Sequence, residues 1–213
     1  MERLVIIPTY NEKENIEAII TAVMNLPIEF NVLVIDDGSP DGTAAIVKKL
    51  MEGRYKDRVL LIERAGKQGL GTAYIAGFKW AIEHQANYIF EMDADFSHNP
   101  QDLLKLYDAC ANDGADLAIG SRYITGVNVV NWPMGRVLMS YFASKYVRFV
   151  LGVNIHDTTA GFVCYCRRTL ETIELDKIRF KGYAFQIEMK FTAHQCGAKI
   201  TEVPIIFVNR VLG

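Results

Sequence analysis

Val32-Leu33-Val34-Ile35-Asp36-Asp37-Gly38-Ser39-Pro40-Asp41-Gly42-Thr43 is the stretch that decides the fold. Its first four residues are apolar without a break, the pattern of a strand covered on both faces. The run then ends abruptly in two aspartates and a Gly/Ser/Pro turn. Asp41 is a residue type that caps helices, here one over Ala44–Met51.

The same strand–turn–helix unit recurs on either side. Leu4–Ile7 reads as a strand, and Glu12–Met24 has helical spacing with Ile16, Ile19, Ile20 and Val23 on one stripe. Downstream, strands at Val59–Ile62, Tyr88–Met92 and Leu117–Ile119 alternate with helices at Thr72–Glu83 and from Pro100 to about Ala111. The second half is less regular: helices at Val137–Leu151 and Phe185–Ala193, strands at Phe162–Tyr165 and at Ile200–Phe207, the last interrupted by Pro204. This alternation predicts an α/β fold with a mostly parallel sheet and helices on both faces. With 213 residues and no repeat or long linker, one domain is expected.

A net charge of -2 argues against a nucleic-acid partner, which would call for a basic excess. Cys110, Cys164, Cys166 and Cys196 are too few and too irregularly spaced for a disulfide framework, and all four read as small buried hydrophobes in a reducing cytosol. No signal peptide opens the chain, and no apolar run is long enough to span a bilayer. Met134–Val150 interleaves apolar residues at helical spacing with Arg136, Lys145 and Arg148, so 134–152 is either an amphipathic helix lying in a membrane surface or one packed on the core or in a dimer.

Ligands of parallel sheets bind beyond the carboxyl ends of the strands. There the sequence puts Pro8-Thr9-Tyr10-Asn11-Glu12, Asp36-Asp37, Asp93-Ala94-Asp95 and Gly120-Ser121-Arg122-Tyr123. With no Lys or Arg adjacent, the aspartates repel one another and invite a cation. Asp93-x-Asp95 suits a hard ion, Mg²⁺ or Mn²⁺, that also takes substrate phosphates. Ala65–Thr72 is a glycine-rich helix start, either an approach to a phosphate or simply a tight turn.

In order along nearly the whole chain, Pro8–Glu12, Ile35–Thr43 (IDDGSPDGT), Gly69–Tyr74 (GLGTAY), Met92–His98 (MDADFSH), Gly120–Tyr123 (GSRY), Asp157–Phe162 (DTTAGF), Gly182–Met189 (GYAFQIEM) and Glu202–Arg210 resemble the family 2 inverting glycosyltransferases, above all the dolichol-phosphate (polyprenyl-phosphate) mannose synthases. The resemblance implies the GT-A fold, GDP-mannose as donor, a dolichyl or polyprenyl phosphate acceptor and a divalent metal. By position it implies nucleotide-sugar contacts for Pro8, Tyr10, Glu12, Ile35, Asp37, Asp93, Ala94 and Asp95. Asp95 would be the direct metal ligand, with Ser97 completing the shell. Arg122, Arg136 and Ser140 would surround the acceptor phosphate, and Arg210 would sit on a segment closing over the donor. Asp157 would hold an arginine, or be an ordinary loop carboxylate; Glu188 would line the sugar pocket with Gln186, or be an ordinary helix one. Family members usually continue past Gly213 with a Ser-Lys motif, so a missing C-terminal segment or a membrane-anchoring subunit is expected, at the cytoplasmic face of a membrane.

A phosphate monoester is already anionic near neutral pH, so such an acceptor needs a cationic cradle and no general base. Three other readings compete. One is a same-fold transferase using UDP-glucose or UDP-N-acetylglucosamine, and another is a non-catalytic nucleotide-binding module. The third, an aspartyl phosphohydrolase, would want its aspartates after the first strand, where this chain has Pro-Thr-Tyr-Asn.

Overall fold

The computed structural model describes residues 1–209. Strands β1 (Arg3–Thr9), β2 (Asn31–Asp36), β3 (Val59–Glu63), β4 (Tyr88–Glu91) and β5 (Leu117–Ser121) alternate with helices α1 (Ile16–Met24), α2 (Thr43–Glu52), α3 (Leu70–Glu83) and α4 (Asp102–Ala111). Then come the two-residue β6 (Val129–Val130), α5 (Met134–Leu151), β7 (Val163–Cys166), α6 (Arg167–Thr172), α7 (Tyr183–Gln195), β8 (Ile200–Pro204) and β9 (Phe207–Val208). Seven strands form one sheet in the order β3-β2-β1-β4-β7-β5-β8, and β6 pairs with β9 alongside. The expected mostly parallel α/β sheet is present.

Two departures from the sequence reading matter. Strand β7 runs antiparallel to both β4 and β5 and separates them. A fully apolar strand carries no mark of its direction, so periodicity could not show this. Helix α1 starts at Ile16 rather than Glu12, because Asn11 is left-handed (φ 61°) and residues 12–15 form a turn in which the Asn15 N–H donates to the Glu12 carbonyl.

Alternation along each strand splits the core in two. Val5, Ile7, Val32, Val34 and Phe90 pack under α1, α2 and α4, while Leu4, Ile6, Leu33, Ile35 and Ile89 pack under α3, α6 and α7. Each such fully buried side chain contributes about 1.5–3 kcal/mol. Helix α3 lies unusually close to β1, since a Cβ on Gly77 would come within 2.7 Å of Ile6. Of the four cysteines, Cys110, Cys164 and Cys166 are buried as expected; Cys196, just past α7, is exposed.

Candidate active site

The parallel strands bring their polar termini to one edge, but not as a bare acidic cluster. Asp36 is buried and satisfied, accepting from Thr9 Oγ1 (2.9 Å) and from Ser39 N–H (2.9 Å) and Oγ (2.6 Å). The Asp37 carboxylate accepts from Arg64 Nε at 2.6 Å and from the Gln68 N–H at 3.1 Å. Arg64 also donates to Thr72 Oγ1, tying the end of β3 to α3. The expectation of no neighbouring cation is therefore corrected at Asp37. Arg64 directly follows a strand and could have been found by the rule that located the aspartates. Asp41 also acts differently from expectation. It holds the Thr43 N–H and hydroxyl and the Lys13 N–H, while Gly42 occupies the cap position.

Around Asp37 lie the other residues expected to hold a nucleotide. Tyr10 is exposed, with the Lys67 ammonium 4.7 Å from its ring centre. Pro8 and Glu12 are partly exposed, and Glu12 Oε2 accepts from Asn15 Nδ2. The Ile35 side chain is fully buried in the core on the α3 side, which leaves its backbone as the part near the edge. The glycine-rich segment is docked on the chain itself: Gly71 N–H donates to the Lys181 carbonyl, and a Cβ at Gly71 would strike Phe185 at 2.8 Å.

Asp93 and Asp95 sit two strand positions from Asp37, with β1 between, roughly 10 Å at ordinary strand spacing. They floor a cavity of about 570 Å³. Burial and then the charge of Asp95 raise the Asp93 carboxyl to about 7, and the charge of Glu12 adds to the effect. Ala94 is buried behind them. Asp95 Oδ1 accepts from the Ser97 N–H, and Phe96 between them is held at φ 58°, a strained angle for a bulky residue. Burial lowers His98 to about 4, so the ring, stacked on Phe162, is neutral.

Arg122, Arg136 and Ser140 line the same cavity. Arg136 extends from α5 over the Trp132 ring (4.1 Å) and donates to Asn209 Oδ1. Ser140 Oγ accepts from the Tyr123 hydroxyl at 2.7 Å. Arg122 is more constrained than expected. Its Nε and Nη2 grip the buried Asp157 at 2.7 and 2.6 Å, Nη2 also reaches Thr159, and the rings of Tyr123, Trp132 and Phe207 surround it. Asp157 thus holds an arginine, and the arginine it holds is Arg122. Its own N–H donates to Glu202, a carboxylate the sequence reading gave no role. Glu188 is not on the cavity wall; it accepts the N–H groups of Arg179 and Phe180. Gln186 is on the wall, and Arg210 lies outside the described residues.

Among the described residues no three His, Cys, Asp or Glu side chains converge as a preformed metal site. The acidic pair still fits a dication. Asp93 and Asp95 repel each other, and the buried Ser97 Oγ has no hydrogen-bond partner, leaving an oxygen to offer. Mg²⁺ and Mn²⁺ commonly take one or two carboxylates and fill the shell with phosphate and water oxygens. Asp95 and Ser97 are the residues that would hold such an ion.

Solved structures similar to this one are GT-A glycosyltransferases. A glucosyl-3-phosphoglycerate synthase from Mycobacterium tuberculosis, in complex with Mn²⁺, UDP-glucose and phosphoglyceric acid, superposes with a TM-score of 0.71 at 16% identity, over 100% of this chain and 72% of that one. A mannosyltransferase from Pyrobaculum calidifontis, in complex with GDP-Man and Mn²⁺, gives 0.65 at 19% identity, over 99% and 57%. At such identities the likeness shows the fold, and that fold is GT-A. Residues 4–174 match the model for Glycosyl transferase family 2, and the chain belongs to that family. It is 49% identical over 210 residues to polyprenol monophosphomannose synthase of Mycolicibacterium smegmatis, covering 99% of this chain and 78% of that protein. It is 45% identical to undecaprenyl-phosphate mannosyltransferase of Micrococcus luteus, covering 100% and 86%. The chain is a glycosyltransferase.

Proposed function

We propose that this chain transfers mannose from GDP-mannose to a polyprenyl phosphate, with inversion at the anomeric carbon and with help from Mg²⁺ or Mn²⁺. The observation that carries this reading is one cavity with Asp93 and Asp95 on its floor and Arg136 and Ser140 on its wall. Two anion-handling groups of opposite logic facing one space suit a diphosphate leaving group and a phosphate nucleophile. The two relatives that match along nearly all of this chain and are named for polyprenyl-linked mannosyl transfer support the choice of sugar and acceptor.

On this reading Tyr10, Glu12 and Asp37 bind the nucleotide, with the Pro8 and Ile35 backbone beside them. A bound dication would neutralise charge building on the departing diphosphate. Asp95 and Ser97 would hold it, and Asp93 and Ala94 shape the turn. Arg136 orients the acceptor phosphate by charge, and the Ser140 hydroxyl, whose oxygen already accepts from Tyr123, donates to it. Arg122 sets the potential of that corner while keeping Asp157 neutralised. No base is needed, since the nucleophile arrives as an anion.

The acceptor's lipid tail requires an apolar approach. On α5 the side chains of Met134, Leu138, Met139, Phe142, Tyr146, Phe149 and Val150 are exposed, Phe149 to 88%, and within the helix only Ser144 is buried. Arg136, Lys145 and Arg148 flank them. Such a helix can lie in the surface of an anionic bilayer, here the cytoplasmic face, beside the cavity it lines through Met139 and Ala143. Among the described residues no helix is long and apolar enough to cross a membrane.

The deciding experiment incubates the protein with labelled GDP-mannose, Mn²⁺ and a short polyprenyl phosphate, then extracts with organic solvent. Label in the organic phase, lost without Mn²⁺, is expected. Label transferred only from UDP-glucose or UDP-N-acetylglucosamine would overturn the choice of donor. GDP binding without any transfer would overturn catalysis.

A further inference from the structure

Behind the cavity wall lies a fully buried polar chain that the proposed mechanism does not use. Lys190 of α7 is 1% exposed. Its ammonium donates to the Ala160 carbonyl (2.6 Å), to Gln186 Oε1 (3.0 Å) and to the Gln186 carbonyl (3.2 Å), which occupies all three of its donors. Gln186 Nε2 in turn donates to Glu91 Oε2. Glu91 is the last residue of β4 and buried completely, with the Tyr165 hydroxyl of β7 also beside its carboxylate. Burial depresses the lysine and raises the glutamate from their ordinary values, each partly offset by the other's charge.

A buried lysine and glutamate contribute little to stability relative to well-packed apolar residues. What they do supply here is orientation. The Gln186 amide cannot flip, because its nitrogen must face Glu91 and its oxygen must face Lys190. Lys190 also ties the 157–161 segment to α7 through Ala160. Ala160, Gly161 and Gln186 all line the cavity that Asp93 also lines. The field of Lys190 is felt by Asp157, which holds Arg122, by Glu202, which accepts the Asp157 N–H, and by Glu91. One cation therefore stands between Glu91 at the end of β4 and the Asp157 carboxylate that clamps Arg122.

We infer that Lys190 is a positioning residue that locks Gln186 and the 157–161 segment in register with the end of β4, so that donor and acceptor meet in line. The inference rests on the transfer reaction proposed above, but one of its tests needs no turnover. Two variants are compared: Lys190→Met, which keeps the length and removes the charge, and Glu91→Gln/Lys190→Met, which removes both charges together. Amide hydrogen exchange, measured without substrate, is expected to be at least about 10-fold faster at residues 157–161 in both variants and unchanged in β1 and β2. Unchanged exchange at 157–161 would overturn the inference even if the wild type proved inert with GDP-mannose. With the substrates the wild type uses, kcat is expected to fall about 100-fold, the scale of a 1 Å misplacement, while GDP binding with Mn²⁺ stays within about 3-fold. The double variant is expected to recover Tm without recovering kcat. If kcat returned together with Tm, the role would be merely structural and the inference wrong. Should Lys190→Met fail to fold, the exchange rate and kcat of the double variant decide the matter by the same two criteria.

Discussion

Arg122 and Arg136 share a cavity but are not equivalent, and the difference is legible in their partners. Removing Arg122 strands the buried Asp157 carboxylate, a change that costs about 3–5 kcal/mol. Arg122→Ala should therefore lose Tm and activity together, and loss of transfer in that variant says little about the acceptor. Arg136 is exposed, and among the described residues its side chain meets only Asn209 and the Trp132 ring, so Arg136→Ala should cost at most about 1 kcal/mol of stability and lower kcat/KM for the acceptor phosphate by about 10–100-fold, the worth of one or two charge-assisted hydrogen bonds. Normal acceptor kinetics in Arg136→Ala would remove it from the cradle. Asp93 makes a different kind of prediction. Its folded carboxyl titrates near 7 against an ordinary 3.8, so between those values the folded chain binds more protons than the unfolded one. Stability of the metal-free protein should accordingly fall as pH rises from about 4 to 7. Thermal melts in chelator should show that slope, and Asp93→Asn should reduce it. Added Mn²⁺ with GDP should raise Tm more at pH 8 than at pH 6, where the carboxyl is largely protonated and resists the ion. The sequence marked Asp93, Asp95, Arg136 and Ser140 because they follow strands or match a motif. It could not mark Lys190 or Glu202, which look like ordinary helix and strand charges until the fold buries them.

At the level of elements, α5 separates two meanings of amphipathic periodicity. The apolar spacing of residues 134–151 is equally compatible with a helix packed on the core, and the sequence left both open. In the fold its large side chains face outward instead. Each aromatic that enters a bilayer surface contributes about 1.5–3 kcal/mol. Phe142→Ser/Phe149→Ser should thus leave Tm within about 2 °C and reduce co-flotation with anionic liposomes at least 100-fold. Retained flotation would show that another part of the chain meets the lipid. The regular elements of the first half were readable to within a few residues because a buried strand and a capped helix have strong local signatures. The pairing of β6 with β9 was not, since two-residue strands have no period at all. Their contact matters nonetheless, because Phe207 on β9 helps box in Arg122.

Across the whole molecule, the site draws on chain segments from Tyr10 to Asn209, joined by one late strand. β7 enters the sheet from its loaded edge, which is why the 157–161 segment lands between the ends of β4 and β5. Until residues 163–166 have been synthesised, β4 has an unpaired side and β5 has no place to dock. The nascent first half can therefore gather its nucleotide-facing ends early, with an open β4 rim vulnerable to edge-to-edge association. The acceptor corner comes into being only when that rim is sealed. A ribosome paused before this point would hold a chain with a half-built cleft, competent at most to grasp a nucleotide and with nowhere to send its sugar.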